Sequence, residues 1–149
     1  MRLSAQSDIR APAAKVWAAL TDVAAVERAG LKRGVDVTRV DEGGPVAPGA
    51  EWRIAFEFRG RRRSAVARLL AMEPDERIQA GVRGEGLESL AEAELVALSP
   101  GTTRLLARVD FGAVSFQGRL LLQTMKLMRG ALQRRLEDRV DRFARRLSD

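Results

Sequence analysis

The chain is predicted to be an α+β protein, with a curved antiparallel sheet of about seven strands covered by one long C-terminal helix. Three observations lead there. Apolar residues recur at Phe116, Leu120, Leu121, Met125, Met128, Leu132, Leu136, Val140, Phe143 and Leu147, mostly three or four apart. That is the period of a helix with one buried stripe, here running over 115–148. Before it come short segments that alternate apolar and polar residues in period two, bounded by Gly, Pro and Asp clusters. Finally, 149 residues with 46% hydrophobic content suit one domain over 1–149 with a sizeable core. A helix of this length extends roughly 45–50 Å at about 1.5 Å per residue, enough to cross a whole small sheet.

Leu3 to Ile9 sets Leu3, Ala5 and Ile9 on one side and opens the chain as a strand. Ala11-Pro12 ends it, and proline suits the first turn of the helix expected over Ala13 to Leu20. Asp22 can cap a second short helix through Arg28, with Gly30 as its stop. Val35 to Val40 alternates as a strand up to the turn cluster Asp41-Glu42-Gly43-Gly44-Pro45. In Glu51 to Arg59, Trp52, Ile54, Phe56 and Phe58 share one face while Glu51, Arg53, Glu57 and Arg59 share the other. This dry-and-wet division is typical of antiparallel pairing. Further strands are expected near 62–72, 77–83, 87–98 and 102–111.

The last hairpin is predicted in register. Ala91, Ala93, Leu95 and Ala97 face Leu105, Ala107, Val109 and Phe111 on the inner side, which sets Glu94 opposite Arg108 outside. Such a cross-strand pair contributes roughly 0.2–1 kcal/mol. The same register puts Glu92 near Asp110, a mildly unfavourable pair, and Val96 beside Leu106, a small apolar spot that reads first as ordinary exposed hydrophobe and second as a homodimer contact.

Composition narrows the chemistry. The chain has no His, Cys or Tyr, so thiolate catalysis, disulfides, Ser-His-Asp triads and ordinary zinc or copper sites are excluded. No catalytic residue, metal site or cofactor is expected. No apolar run approaches a membrane span, and Met1 to Asp8 lacks the apolar core of a leader, so a cytoplasmic location is the expectation. Of the net charge of +6, residues 115–149 hold +5, and a second basic cluster runs from Arg59 to Arg63 around Gly60. Solvated helix and hairpin surfaces explain both, with weak anionic-membrane contact as the alternative; nucleic acid is not favoured.

The order of strand, two short helices, six antiparallel strands and long helix is the helix-grip arrangement. On these residues the chain resembles the START-like superfamily, the polyketide cyclase/dehydrase and lipid-transport group that includes the birch-pollen-allergen fold. The matching stretches are Ala11-Pro12-Ala13-Ala14-Lys15-Val16-Trp17-Ala18-Ala19-Leu20-Thr21-Asp22, Pro48-Gly49-Ala50-Glu51-Trp52, Phe58-Arg59-Gly60-Arg61 and Met72-Glu73-Pro74-Asp75-Glu76-Arg77-Ile78. The first is fairly specific, and the others carry weight in that order. The resemblance implies an apolar cavity between sheet and terminal helix that receives lipids, quinones or polyketides. Branches associated with carbon monoxide dehydrogenase maturation and with coenzyme Q look similar. Cyclase-like and hydrolase-like relatives place Tyr, His or paired polar groups in the cavity, and this chain has neither Tyr nor His.

Candidate ligand contacts are Trp52, Ile54 and Phe56 on the apolar strand, Phe111 at the end of the last strand, and Leu121, Met125 and Met128 on the helix. Each is also a reasonable core residue, and Trp17 is expected to pack the first helix on the sheet. Arg68 has two readings. If Val66, Leu70 and Met72 point inward, so does Arg68, and it becomes an anion contact. If Ala65, Ala67, Leu69 and Ala71 point inward, Arg68 is free in solvent, the cheaper arrangement. Gly118 and Gly130 each cost the long helix roughly 1 kcal/mol relative to Ala, and Gly130 suits a bend over the cavity. The leading expectation is a non-catalytic binding or carrier domain for a small hydrophobic molecule. A cyclase or dehydrase using carboxylate or Arg groups is the second, distinguished by an inward carboxylate. A membrane- or RNA-associating module built on the basic helix is the third.

Overall fold

In the computed structural model, which describes residues 1–149, seven strands form one antiparallel sheet in the order β1-β7-β6-β5-β4-β3-β2. The strands are β1 (Arg2–Ile9), β2 (Asp36–Arg39), β3 (Glu51–Phe58), β4 (Arg61–Glu73), β5 (Arg77–Gly84), β6 (Leu87–Ser99) and β7 (Thr102–Ala113). Helices α1 (Ala13–Leu20) and α2 (Val23–Lys32) follow β1, and α3 (Phe116–Leu127) and α4 (Arg129–Leu147) end the chain. This is the helix-grip α+β fold.

Local chemistry accounts for the elements. The Asp22 carboxylate accepts from Ala25 N at 3.1 Å and caps α2. Gly30 does not stop that helix, which continues to Lys32 before Gly34 takes a left-handed φ of 76°. Gly30 instead admits the backbone of Val35, whose carbonyl oxygen would lie 2.9 Å from a Cβ at that position. Hairpins β3–β4 and β5–β6 turn on Arg59-Gly60 and Glu85-Gly86, each pair left-handed as a two-residue turn requires.

The packed core lies at one end of the molecule. Ile9, Ala11 and Val16 meet Leu95 and Leu105 of the sheet and Val140 and Ala144 of α4, with Trp17 against them from α1. Thr103 Oγ1 donates to Ala11 O at 2.8 Å inside this cluster. Arg10 N donates to Ser148 Oγ at 3.0 Å, so the end of α4 is tied to the β1–α1 junction. A second cluster joins Ala50, Trp52 and Leu69, with Val23, Val37 and Met72 around it.

The structure departs from three sequence expectations. The terminal helix is not continuous: Met128 (φ −96°, ψ 11°) separates α3 from α4. Its N–H donates to both Met125 O (3.0 Å) and Thr124 O (3.2 Å), one tightened turn that three-and-four spacing does not reveal. The last hairpin is slipped by two residues. Arg108 faces Glu92 rather than Glu94, Asp110 faces Leu90, and Val96 faces Arg104 rather than Leu106. Inner and outer faces survive a slip of two, so the apolar pattern is kept while the charge partners and the proposed dimer spot change. Finally, a bulge between Leu69 and Ala71 mixes the two readings of β4. Ala67 and Leu69 lie inward before it and Met72 after it, packed beside Ile78.

Candidate ligand cavity

Only 13 of 149 residues are buried, and beyond the packed end the first of the two terminal helices packs sparsely on the sheet. The inner face there carries small residues. Ala65 pairs with Ile54, Ala67 with Val82, and Ala80 with Ala91. α4 packs chiefly on β1, which leaves α3 and the start of α4 standing off the strands. Between them is a partly open cavity of about 240 Å³, and eleven of its fifteen lining residues are hydrophobic.

The sheet contributes Ile54, Phe56 and Phe58 from β3, Ala65 from β4, Val82 from β5 and Leu87 from β6; Phe111 closes the β7 side. Leu121 and Met125 of α3, Met128 at the bend and Leu132 of α4 form the opposite wall. Six of the seven candidates from the sequence, Ile54, Phe56, Phe111, Leu121, Met125 and Met128, therefore line one space. Trp52 does not. It is 8% exposed in the second core cluster, its Nε1 buried without an acceptor and the Arg39 guanidinium 5.7 Å from its ring. Arg68 is exposed on the opposite face of the sheet, paired in register with Gly81 and Glu51, and cannot reach this cavity.

Two charged residues line the cavity that sequence reasoning left out. Arg63 Nη1 lies 3.4 Å from Glu85 Oε2, with the side chains 13% and 21% exposed. Arg63 Nε also donates to Phe58 O at 3.2 Å, and its guanidinium sits 5.6 Å from the Phe58 ring. The sequence places Arg63 on a solvated hairpin tip, and the structure turns it inward. Strand parity held the signal, because the register that turns Ala65, Ala67 and Leu69 inward turns Arg63 inward too. Glu85 enters through the left-handed β5–β6 turn, which alternation does not describe. Ser89 Oγ, bonded to Val82 O at 3.5 Å, is the other side-chain donor in the lining.

A guanidinium has five N–H donors in a planar fork, and here Nε and Nη1 have protein acceptors. The arrangement can hold an apolar body against the aromatic and methionine side chains, with Arg63 Nη2 as the guanidinium nitrogen left without a protein acceptor at its edge. No group of His, Cys, Asp and Glu stands close enough to hold a metal ion. No helix is long and apolar enough to cross a membrane.

Comparison with known proteins agrees with this fold. TTHA0849 from Thermus thermophilus superposes with a TM-score of 0.69 at 17% identity, covering 99% of this chain and 97% of that one. The Zhui aromatase/cyclase from a Streptomyces species gives 0.64 at 17% identity over 95% and 94%. Ara h 8.0201 gives 0.60 at 16% identity over 87% and 91%. At these identities the likeness establishes the fold. No curated protein matches the chain. The family model described as polyketide cyclase / dehydrase and lipid transport matches residues 1–148, essentially end to end, and the chain belongs to that family.

Proposed function

We propose that this protein is a binding or carrier domain for a small, mostly apolar molecule bearing one polar acceptor. The observation that supports the reading is the cavity, whose wall is hydrophobic apart from a single corner of charge. Affinity comes mainly from apolar burial, roughly 25 cal/mol per Å², and orientation from Arg63. Ile54, Phe56, Phe111, Leu121, Met125 and Met128 are the proposed ligand contacts. Size restricts the ligand. A dry apolar cavity of about 150 Å³ accommodates benzene. At about 240 Å³ this one suits one or two fused rings or a short acyl chain. A long lipid tail or a polycyclic polyketide requires α3 to move outward. Native mass spectrometry and fluorescence displacement with naphthoic acid, naphthoquinone and octanoate test the reading. Stoichiometric uptake of at least one is expected, and no uptake of any of the three at millimolar concentration overturns it.

Glu85 favours a second reading, because it is the one carboxylate in the lining. Beside Arg63 it could exchange a proton with a confined, flexible polyketone, the cavity supplying the reactive conformation. Turnover of a linear polyketone that Glu85→Gln abolishes, with binding retained, selects the enzyme. Binding without turnover selects the carrier.

A further inference from the structure

Helix α3 is apolar on two opposite faces. Leu121 and Met125 turn toward the cavity, whereas Phe116, Leu120 and Leu127 are 69%, 52% and 90% exposed. At roughly 3.6 residues per turn, these three fall within about 40° of one another and make one stripe. Val114, just before the helix N-cap, is exposed as well. Arg119 and Lys126 run along one flank, and the Arg119 guanidinium lies 5.9 Å from the Phe116 ring centroid. No acidic residue occurs between Asp110 and Glu137, a stretch with five basic ones. Gln123 is the polar residue between Leu120 and Leu127 on this side, so the face is three large apolar side chains with one amide among them. Exposed apolar side chains grouped on one face, rimmed by polar residues, are the pattern of an interaction surface.

We propose that this outer face of α3, with Phe116, Leu120 and Leu127 inserted and Arg119 and Lys126 at the headgroups, docks the protein on an anionic lipid bilayer. Exposed apolar bulk beside unopposed positive charge is the chemistry of an interfacial helix. A second copy of the chain fits less well, since a two-fold contact through this stripe brings the same basic groups together without acids to offset them. A polyanion such as RNA has a better site on α4, where Arg135, Arg139, Arg142 and Arg146 share a face with no large exposed hydrophobe among them. The proposal stands on the outer face of α3 and does not depend on what the cavity holds. Docking would, however, put one wall of that cavity against the lipid.

Cosedimentation of the whole chain with phosphatidylcholine vesicles, with and without about one-third phosphatidylserine, tests this proposal. Binding to the anionic vesicles is expected, falling as salt is raised. Leu120→Ser combined with Leu127→Ser lowers partitioning at least about tenfold. Arg119→Gln and Lys126→Gln each lower it about fivefold. Arg142→Gln combined with Arg146→Gln, on α4, leaves the dependence on Leu120 and Leu127 intact. All these side chains are exposed, so unchanged thermal melting separates lost docking from lost folding. Absent binding, equal binding to neutral vesicles, or binding that ignores the α3 substitutions overturns the proposal. Self-association abolished by Leu127→Ser without any vesicle binding also overturns it, and assigns the stripe to a second copy.

Discussion

The carbonyl oxygen of Gly86 occupies the space that a side chain on Gly118 would need, so the β5–β6 turn and the first turn of α3 touch backbone to backbone. A Cβ on Gly86 would in turn lie 2.7 Å from Gly118 N. The same Gly86 oxygen accepts from Val114 N at 2.8 Å, and Ser115 Oγ caps the helix by accepting from Gly118 N at 3.0 Å. This contact fixes how far α3 stands from the sheet, and therefore how tall the cavity is.

Gly118→Ala is expected to displace α3, costing about 1–3 kcal/mol through overpacking, despite alanine's better helix propensity. Gly130→Ala should behave oppositely. Its nearest neighbour is the flexible end of Arg134 at 3.4 Å, so up to about 1 kcal/mol of stabilisation is expected. Urea denaturation of both variants checks the pair. Equal effects would mean that the Gly86 contact does not position the helix.

Arg63 and Glu85 predict opposite changes in binding. Arg63→Met removes the donor and should weaken uptake of naphthoic acid about tenfold or more, while an aromatic hydrocarbon of the same size binds as before. Glu85→Gln removes the competing acceptor and the repulsion of an incoming carboxylate, so naphthoic acid should bind more tightly. Isothermal titration with the two ligands separates these outcomes. A fall in both affinities for both variants would indicate a purely structural ion pair.

Much of this geometry was legible in the chain, for identifiable reasons. Period-two alternation from Trp52 to Phe58 gave β3 and its inner face, and three-and-four spacing placed Leu121, Met125 and Met128 against the sheet. What escaped was everything that preserves periodicity while moving a neighbour. The slip that pairs Arg108 with Glu92 keeps parity, and acids at both 92 and 94 make either register electrostatically sensible. The bulge after Leu69 changes parity within one strand, so neither uniform reading of β4 could be correct throughout. Trp52 has the right face but the wrong neighbours: Ala50, Leu69 and the residues of β2 and α2 around it come together only in the fold.

Filling the cavity should separate binding from stability. Ala65 lines it beside Ile54, and Ala65→Leu adds apolar volume where the protein has little to displace. Ligand affinity is expected to fall at least about tenfold with stability held or slightly raised, as burial of new methyl groups offsets lost side-chain freedom. Leu105→Ala, in the packed end and 3% exposed, should cost about 2–4 kcal/mol and leave the ligand site intact. Thermal melts with and without ligand give both numbers. Unimpaired uptake by Ala65→Leu would place the ligand elsewhere.

Stability against acid should depend on cross-strand ion pairs. Arg2 Nε donates to Asp110 at 2.6 Å and Arg104 Nε to Asp8 at 2.8 Å, each pair directly opposed between β1 and β7. These hydrogen bonds hold both carboxyls below the usual Asp range, more than offsetting the desolvation that opposes them. Asp41 is lowered likewise, first by Arg39 and next by Gly43 N. A depressed folded pKa means that the unfolded chain binds more protons in acid. The stabilisation is therefore complete above the unfolded value of about 3.9 and is lost as pH falls through the folded ones. With no His or Cys in the chain, no side chain with an ordinary pKa titrates between about pH 5.5 and 8. The urea midpoint should be nearly flat there and drop below about pH 4. In Arg2→Gln combined with Arg104→Gln, Asp8 and Asp110 return toward ordinary values, so the acid drop should be shallower from a lower plateau. An acid limb identical to that of the parent protein would show that these pairs do not carry the pH dependence.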